Sequence, residues 1–529
     1  MNLWLSLNKA LTLYPDKIAL IDGEKRFTYG DFGQRISNLL SGLRKLGMAN
    51  KSAVAILAPN CHEFMETYYA CGISGAVLCP VNYRLAPPEV ASILEDAQVQ
   101  VLIIHTDFEK CVQEILKGAP TVQHVVWIGT PTECELPGQH HDFERLAAEP
   151  SDVRSLDELP QLPADQLAHL YYTSGTTGKP KGVMLTQGNV TFNALAVVAD
   201  LSLTETDIWL HAAPLFHLAD AWATFSITWV GGTHVFIPHF NARNALSAIS
   251  RHNVTVSVLV PTMLSAMLNE QQEVKADCSS LRLLLTGGSP IAPEVVRQAI
   301  QTFGCEYVQL YGMTETSPFL TLSRPKSQQC NLSLEEQLPI RSRTGRPYIG
   351  AEVRVVNDMG QLVANDDTEV GEIIARGPTI FAGYWNQPEA TSEALQNGWI
   401  RTGDLATIDK EGFINIVDRA KDMIITGGEN VYSNEVEYAL HEHPSILECA
   451  VFGVPDDYWG EAIKAVLVLR AGHVFEESNL VAFLRQRLAH YKVPRSFEIL
   501  VELPKTGSGK IYKKGLREHY WRDKDKQVH

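Results

Sequence analysis

The stretch Tyr172-Thr173-Ser174-Gly175-Thr176-Thr177-Gly178-Lys179-Pro180-Lys181-Gly182 decides how this chain folds. Its glycines let backbone approach an anion closely, and Ser174, Thr176 and Thr177 offer hydroxyl donors. Lys179 and Lys181 add charge, so the loop suits a polyphosphate. It is not a Walker A loop: two residues separate Gly175 from Gly178 where that motif needs four, and Pro180 follows Lys179 where Ser or Thr would hold magnesium. A P-loop ATPase is therefore disfavoured.

Working outward, short apolar runs at 53–58 (AVAILA), 101–105 (VLIIH), 254–260 (VTVSVLV) and 281–286 (LRLLLT) alternate with longer helical patterns. Buried strands alternating with helices predict a parallel, doubly wound α/β sheet. Near residue 345 the texture changes to glycine-punctuated strands at 351–356 and 372–375. The segment 413–422 (FINIVDRAKD) ends in a charged turn. A helix at 433–443, a strand at 450–454 and further βα pattern follow. We expect a large N-terminal domain, 1–418, of doubly wound sheets plus a β-rich subdomain, and a small, mobile α+β domain, 419–529.

The chain has 529 residues, more than one core normally serves, and is 45% hydrophobic and 20% charged. No run approaches the roughly 20 apolar residues that span a bilayer. Leu3, Leu7, Leu11 and Tyr14 repeat at helical spacing, predicting an amphipathic first helix rather than a signal peptide. Nine scattered cysteines without C-x-x-C pairs suit a reducing cytoplasm. A net charge of −16 disfavours nucleic acid, although 12 Lys and Arg stand against 5 Asp and Glu from Arg485 onward.

The opening string resembles the signature loop of the adenylate-forming superfamily, which comprises acyl- and aryl-CoA synthetases, peptide-synthetase adenylation domains and beetle luciferases. Further motifs follow in the family's order along essentially the whole chain: Gly287-Gly288-Ser289-Pro290, Tyr311-Gly312-Met313-Thr314-Glu315-Thr316, Arg401-Thr402-Gly403-Asp404, Arg419 with Lys421, and Pro504-Lys505-Thr506-Gly507-Ser508-Gly509-Lys510. The chemistry of these side chains is apt. Tyr311 can stack on a purine, Thr314 can donate a hydrogen bond, Glu315 can bind a hard cation, and Asp404 can accept from two ribose hydroxyls. A lysine at a glycine-rich loop tip has reach and a compact charge.

The resemblance implies the roles. Residues Thr173, Ser174, Gly175, Thr176, Thr177, Gly178 and Lys179 would hold phosphates, with Gly288, Ser289, Pro290, Tyr311 and Gly312 around adenine. Thr314 would contact phosphate, Glu315 would hold magnesium, and Asp404 and Arg419 the ribose. Lys510 would stabilise acyl-adenylate formation. Lys421 would be a hinge, and Gly427, Gly428 and Glu429 would face the pantetheine of coenzyme A. His217, in Pro214-Leu215-Phe216-His217, resembles the histidine beside the acyl carboxylate. Asp220 stands where members often carry a small residue, so it either faces a polar part of the substrate or serves structure. Ala221, Thr262, Met263, Gln309 and Met313 complete the expected acyl pocket.

The implied activity is ATP- and magnesium-dependent ligation of a small-molecule carboxylic acid to CoA, with a medium- to long-chain fatty acid as the default substrate. An aryl acid, or an adenylation enzyme loading a carrier protein, is the alternative; a homodimer is admitted. A luciferase-like oxygenase gains no support, since DKDKQVH at the C-terminus is no S-K-L. A non-catalytic binder fits poorly, because every catalytic position carries the family's residue.

Overall fold

The computed structural model describes residues 2–132, 138–150, 162–173, 180–456, 458–506 and 510–522. Two large sheets carry the N-terminal part. One runs, in spatial order, Gln139–Asp142, His124–Ile128, Val99–His105, Ala53–Leu57, Val77–Pro80, Leu167–Thr173 and Lys181–Thr186, parallel except for the last pair. The other has nine strands and includes Glu306–Gly312, Leu283–Gly287, Val256–Leu259, Ile208–His211, Thr233–Phe236 and Ile18–Asp22 side by side in parallel. Helices cover both sheets because their strands are apolar on both faces: Leu283–Gly287 and Val256–Leu259 are buried throughout.

A five-stranded, mainly antiparallel sheet follows, with Gly371–Arg376, Trp399–Ile408 and Ile414–Arg419 at its centre. The last sheet pairs Ile446–Asp456 with Gly460–Leu469 and closes its own core of Ile424, Val436, Leu440, Val451 and Ile463 against the helices Ser433–His441 and Glu477–Arg485.

The expected strands lie within two residues of the observed ones, except that 450–454 is the centre of the longer strand Ile446–Asp456. The amphipathic first helix is Trp4–Leu13, with Leu7 and Ala10 fully buried. Among the described residues no helix is long and apolar enough to cross a membrane, and eight cysteines are free thiols.

This topology gathers three motifs at one edge. The strands Leu167–Thr173, Leu283–Gly287 and Glu306–Gly312 each end at a sequence motif. Ligands of open α/β sheets bind beyond such carboxyl ends.

Candidate active site

Strand pairing aligns Asp404 with Arg419, and the Arg419 Nε lies 3.1 Å from Asp404 Oδ1. The Tyr311 hydroxyl donates to Asp404 Oδ2 at 2.7 Å. Three residues that sequence reading assigned to one nucleoside therefore meet, although they come from positions 311, 404 and 419. Asp404 beside Arg419 holds the guanidinium pKa above its ordinary value, against the pull of burial.

Glu315 lies in the middle of the short helical turn Thr314–Thr316, after the strand that carries Tyr311, and is buried. Burial pushes its carboxyl pKa up; the Tyr384 hydroxyl, donating to its Oε1 at 2.9 Å, and the nearby Arg419 and Lys181 pull the other way. Lys181 also lies over the Tyr384 ring at 4.9 Å. Sequence reading missed the part of Tyr384. It lies in the string Gly383-Tyr384-Trp385-Asn386, but its contact with Glu315 spans 69 residues, and no local pattern signals it.

Lys510 enters from the C-terminal sheet. The backbone N–H of Thr506 donates to its carbonyl, and its own N–H reaches Thr506 Oγ1, closing the base of the loop. The side chain extends across to the 287–290 loop, where a Cβ added at Gly288 (φ +88°) would stand 3.1 Å from Lys510 Cε. A side chain at Gly288 would thus be both backbone-strained and in the lysine's way. Desolvation, then Arg419, lowers the Lys510 pKa to about 8, with Asp404 and Glu315 opposing. At neutral pH it is therefore mostly an ammonium, half-buried in this site.

His217 faces the same region, since Lys510 contributes to its titration. Burial first, and Lys510 second, lower its pKa to about 3. The ring is therefore neutral. Its Nδ1 accepts from the Ala219 N–H at 3.1 Å, which leaves the proton on Nε2 as a donor.

The remaining expected residues divide. Thr173 ends its strand opposite Lys181, whereas Ser174, Gly175, Thr176, Thr177, Gly178 and Lys179 lie outside the described residues. Thr314 and Gly312 are half-buried beside Glu315, and Gly288 and Pro290 are exposed at the rim. Gln309 braces that rim: its Nε2 donates to the Ser289 carbonyl at 3.1 Å, and its Oε1 accepts from Tyr307 and Thr286 hydroxyls. Gly427, Gly428 and Glu429 are exposed in a tight turn beside Trp459. Gly427 has φ +60°, and a Cβ there would approach the indole to 2.6 Å.

The acyl pocket needs correction. Asp220 is fully buried and its carboxylate is taken up by core side chains: Trp209 Nε1–H donates to its Oδ1 at 2.9 Å, and His211 Nδ1 bonds its Oδ2 at 3.0 Å. His211 continues to His234 at 2.9 Å, and His234 to Thr228 at 3.1 Å. A buried carboxylate must find donors, and here tryptophan and histidine side chains from a neighbouring strand supply them. Ala221 is likewise enclosed in the core with Phe216 and Phe225, and Met263 packs beneath its own helix with Leu259 and Leu264. Thr262 and Met313 remain as half-buried members of the expected wall.

The AMP-binding enzyme model matches residues 7–385, and the AMP-binding enzyme C-terminal domain model matches 435–510. The chain is 39% identical over 510 residues to a feruloyl-CoA synthase from an Amycolatopsis species, covering 96% of each. It is 35% identical to an indoleacetate–CoA ligase from Aromatoleum aromaticum, again over 96% of each. The o-succinylbenzoate CoA synthetase of Bacillus subtilis, solved with its acyl-adenylate intermediate, matches at TM-score 0.83 and 32% identity across 100% of this chain and 99% of that one. That enzyme has also been solved with ATP and magnesium. With its sheets, the Tyr311–Asp404–Arg419 contacts and Lys510 arranged as described, this chain belongs to the AMP-binding enzymes of the adenylate-forming superfamily.

Proposed function

We propose that the chain is an acid–CoA ligase that uses ATP and magnesium to convert an aryl or arylalkanoic acid to its acyl-adenylate, releasing pyrophosphate, and then to acyl-CoA, releasing AMP. The observation that carries this reading is the convergence of Lys510, Arg419, Asp404, Glu315 and His217 on one edge of the sheets. The expectation of a medium- to long-chain fatty acid gives way, because the ligases named above act on ring-bearing acids: ferulate, indoleacetate and o-succinylbenzoate.

Each side chain has a derivable part. As the acid's carboxylate attacks the α-phosphate, negative charge grows on the phosphate oxygens, and a desolvated ammonium at Lys510 stabilises it more in the transition state than in the ground state. The Nε2–H of neutral His217 can orient the carboxylate without competing for its charge. Tyr311, Asp404 and Arg419 hold the nucleoside. Glu315 offers one buried carboxylate, which fits the way magnesium is held by one or two carboxylates plus substrate phosphates. There the ion would neutralise polyphosphate charge.

For the second step, residues 419–529 would turn about Lys421, withdrawing Lys510 and bringing the 427–429 turn to the thiol's path. The buried, unpaired cysteines accord with a cytoplasmic setting. The test is an acid panel assayed with ATP, magnesium and CoA, resolving AMP from ADP. Hydroxycinnamate, benzoate and indoleacetate classes should exceed fatty acids in kcat/KM, with AMP as product. Formation of ADP would refute adenylation, and a fatty acid leading the panel would refute the aryl assignment.

A further inference from the structure

Away from the site described above, a second set of polar groups converges where the two large sheets meet. Asp22 ends the strand Ile18–Asp22, and His62 and Glu63 open the helix His62–Ser74. His62 Nδ1 lies 2.7 Å from Asp22 Oδ2 and 3.1 Å from Glu63 Oε2. One ligand atom from each residue falls within 4.8 Å of the others. Two atoms bound to one zinc-like ion at about 2.0–2.2 Å in tetrahedral geometry stand roughly 3.3 Å apart. Moving His62 from Asp22 by about 0.6 Å and from Glu63 by about 0.2 Å would reach that spacing.

Charge points the same way. Arg35 is committed elsewhere, pairing with Glu66 at 2.5 Å and Glu144 at 2.8 Å. Lys25 is more than half exposed and no nearer than 3.7 Å to either Glu63 or Glu144. Asp22 and Glu63 are thus left with His62 between them. Glu63 is 93% buried by side chain, at 7% exposure, yet its Oε2 has no hydrogen-bond partner. A buried carboxylate oxygen without a donor is costly, and a cation at Nδ1 would satisfy it. The far side of the ring is also arranged for a ligand. His62 Nε2 lacks a hydrogen bond and faces Glu144 Oε1 at 3.5 Å, the carboxylate–histidine arrangement that orients metal-bound imidazoles. Phe27, stacked on the ring at 4.7 Å, fixes its plane. Asp22, 18% exposed by side chain, leaves a way in.

We propose that Asp22, His62 and Glu63 form a divalent transition-metal site of the zinc class, with Glu144 as the outer partner of His62, and that the bound ion braces the two sheets. The ligands are borderline-hard nitrogen and oxygen donors, which zinc and cobalt(II) accept and which do not suit copper(I). The brace bears on the catalytic edge from behind. Asn60, two residues before His62, donates to the carbonyls of His211 and Ala213 and accepts from the Leu215 N–H at 2.7 Å, holding the segment that leads to His217.

The experiment uses the full-length, untagged, chelator-treated protein. Zinc binding is measured by equilibrium dialysis, cobalt(II) binding by its ligand-field absorption, and melting temperature with and without zinc, for wild type, Glu63→Gln and Glu144→Gln. We expect one tightly held ion per wild-type chain, a higher melting temperature with zinc and a nitrogen- and oxygen-ligated, four-coordinate cobalt spectrum. Affinity should fall at least about tenfold in Glu63→Gln, and about tenfold in Glu144→Gln, the low end for losing an outer partner. Wild type that holds no stoichiometric ion would overturn the site whatever the variants do, and would leave protonated His62 as the cation between Asp22 and Glu63. Equal affinity in wild type and a folded Glu63→Gln would overturn it as well.

Discussion

Lys510 and Lys513 stand three residues apart at the same end of the chain, are both half-buried, and are held in opposite ways. At Lys513 burial works to lower the pKa, but Glu437 at 2.7 Å, with Asp418 and Asp422, outweighs it and holds the ammonium above its ordinary range. Its Nζ also donates to Ser433 Oγ at 2.9 Å. At Lys510 burial wins, reinforced by Arg419, and the pKa drops to about 8. Among the described residues Lys510 has no carboxylate within ion-pair distance. A paired buried lysine is a clamp; a buried lysine kept charged without a dedicated partner is poised for a charge that arrives with substrate.

Breaking the clamp should have the larger effect on the fold. Lys513→Ala strands Glu437 in the C-terminal core and should cost about 3 kcal/mol, the low end for removing one partner of a buried pair. Chemical denaturation would measure this. The double variant Lys513→Met with Glu437→Gln should recover much of the loss, since no charge is left unpaired. A single variant as stable as wild type would show that Lys513 is no clamp.

A hinge at Lys421, as proposed, would separate the two lysines by function rather than by position. Arg517, on the helix that starts at Lys513, donates to the Lys421 carbonyl at 2.9 Å. Rotation about Lys421 would therefore carry Lys513 with Glu437 and Ser433, leave Asp418 behind, and withdraw Lys510. Lys421→Pro restricts its own φ and residue 420. It should leave adenylation near wild type and lower acyl transfer to CoA by about tenfold or more. Proportionate losses in both half-reactions would remove the case for a hinge there.

A smaller, graded effect should come from pH. In the proposed role Lys510 would act as an ammonium, so adenylation should decline as pH rises through about 8 and approach a tenfold loss per unit above it. His217, neutral above about 3, adds no limb in the assay range. Thioester formation from supplied adenylate should lack the alkaline decline. An adenylation rate that is flat to pH 10 would mean that Lys510 is not the charged group involved.

The same contrast explains what could be read from sequence. Strands 53–58 and 281–286 were legible because a doubly buried strand writes itself as an unbroken apolar run. Tyr311, Asp404, Arg419 and Lys510 stand out because motif strings carry them, and strand register with one hydrogen bond then brings the first three together. Asp220 was not. Its carboxylate is claimed by Trp209 and His211, which lie on the preceding strand, and only tertiary packing says which way a four-residue helix turns its side chains. Met263 misled for a related reason, since its helix presents that position to the core. The cluster of Asp22 and His62 joins residues 40 apart, which no spacing rule signals.

The most direct test of the contrast is Lys510→Ala assayed in both half-reactions. Pyrophosphate release from acid and ATP should fall by about 10²–10³, the scale of losing one preorganised donor to developing charge. CoA ester formation from synthetic acyl-adenylate should stay within a few-fold of wild type, and the melting temperature should not drop. Equal losses in the two half-reactions, or a loss that tracks unfolding, would contradict the account and make Lys510 a second clamp.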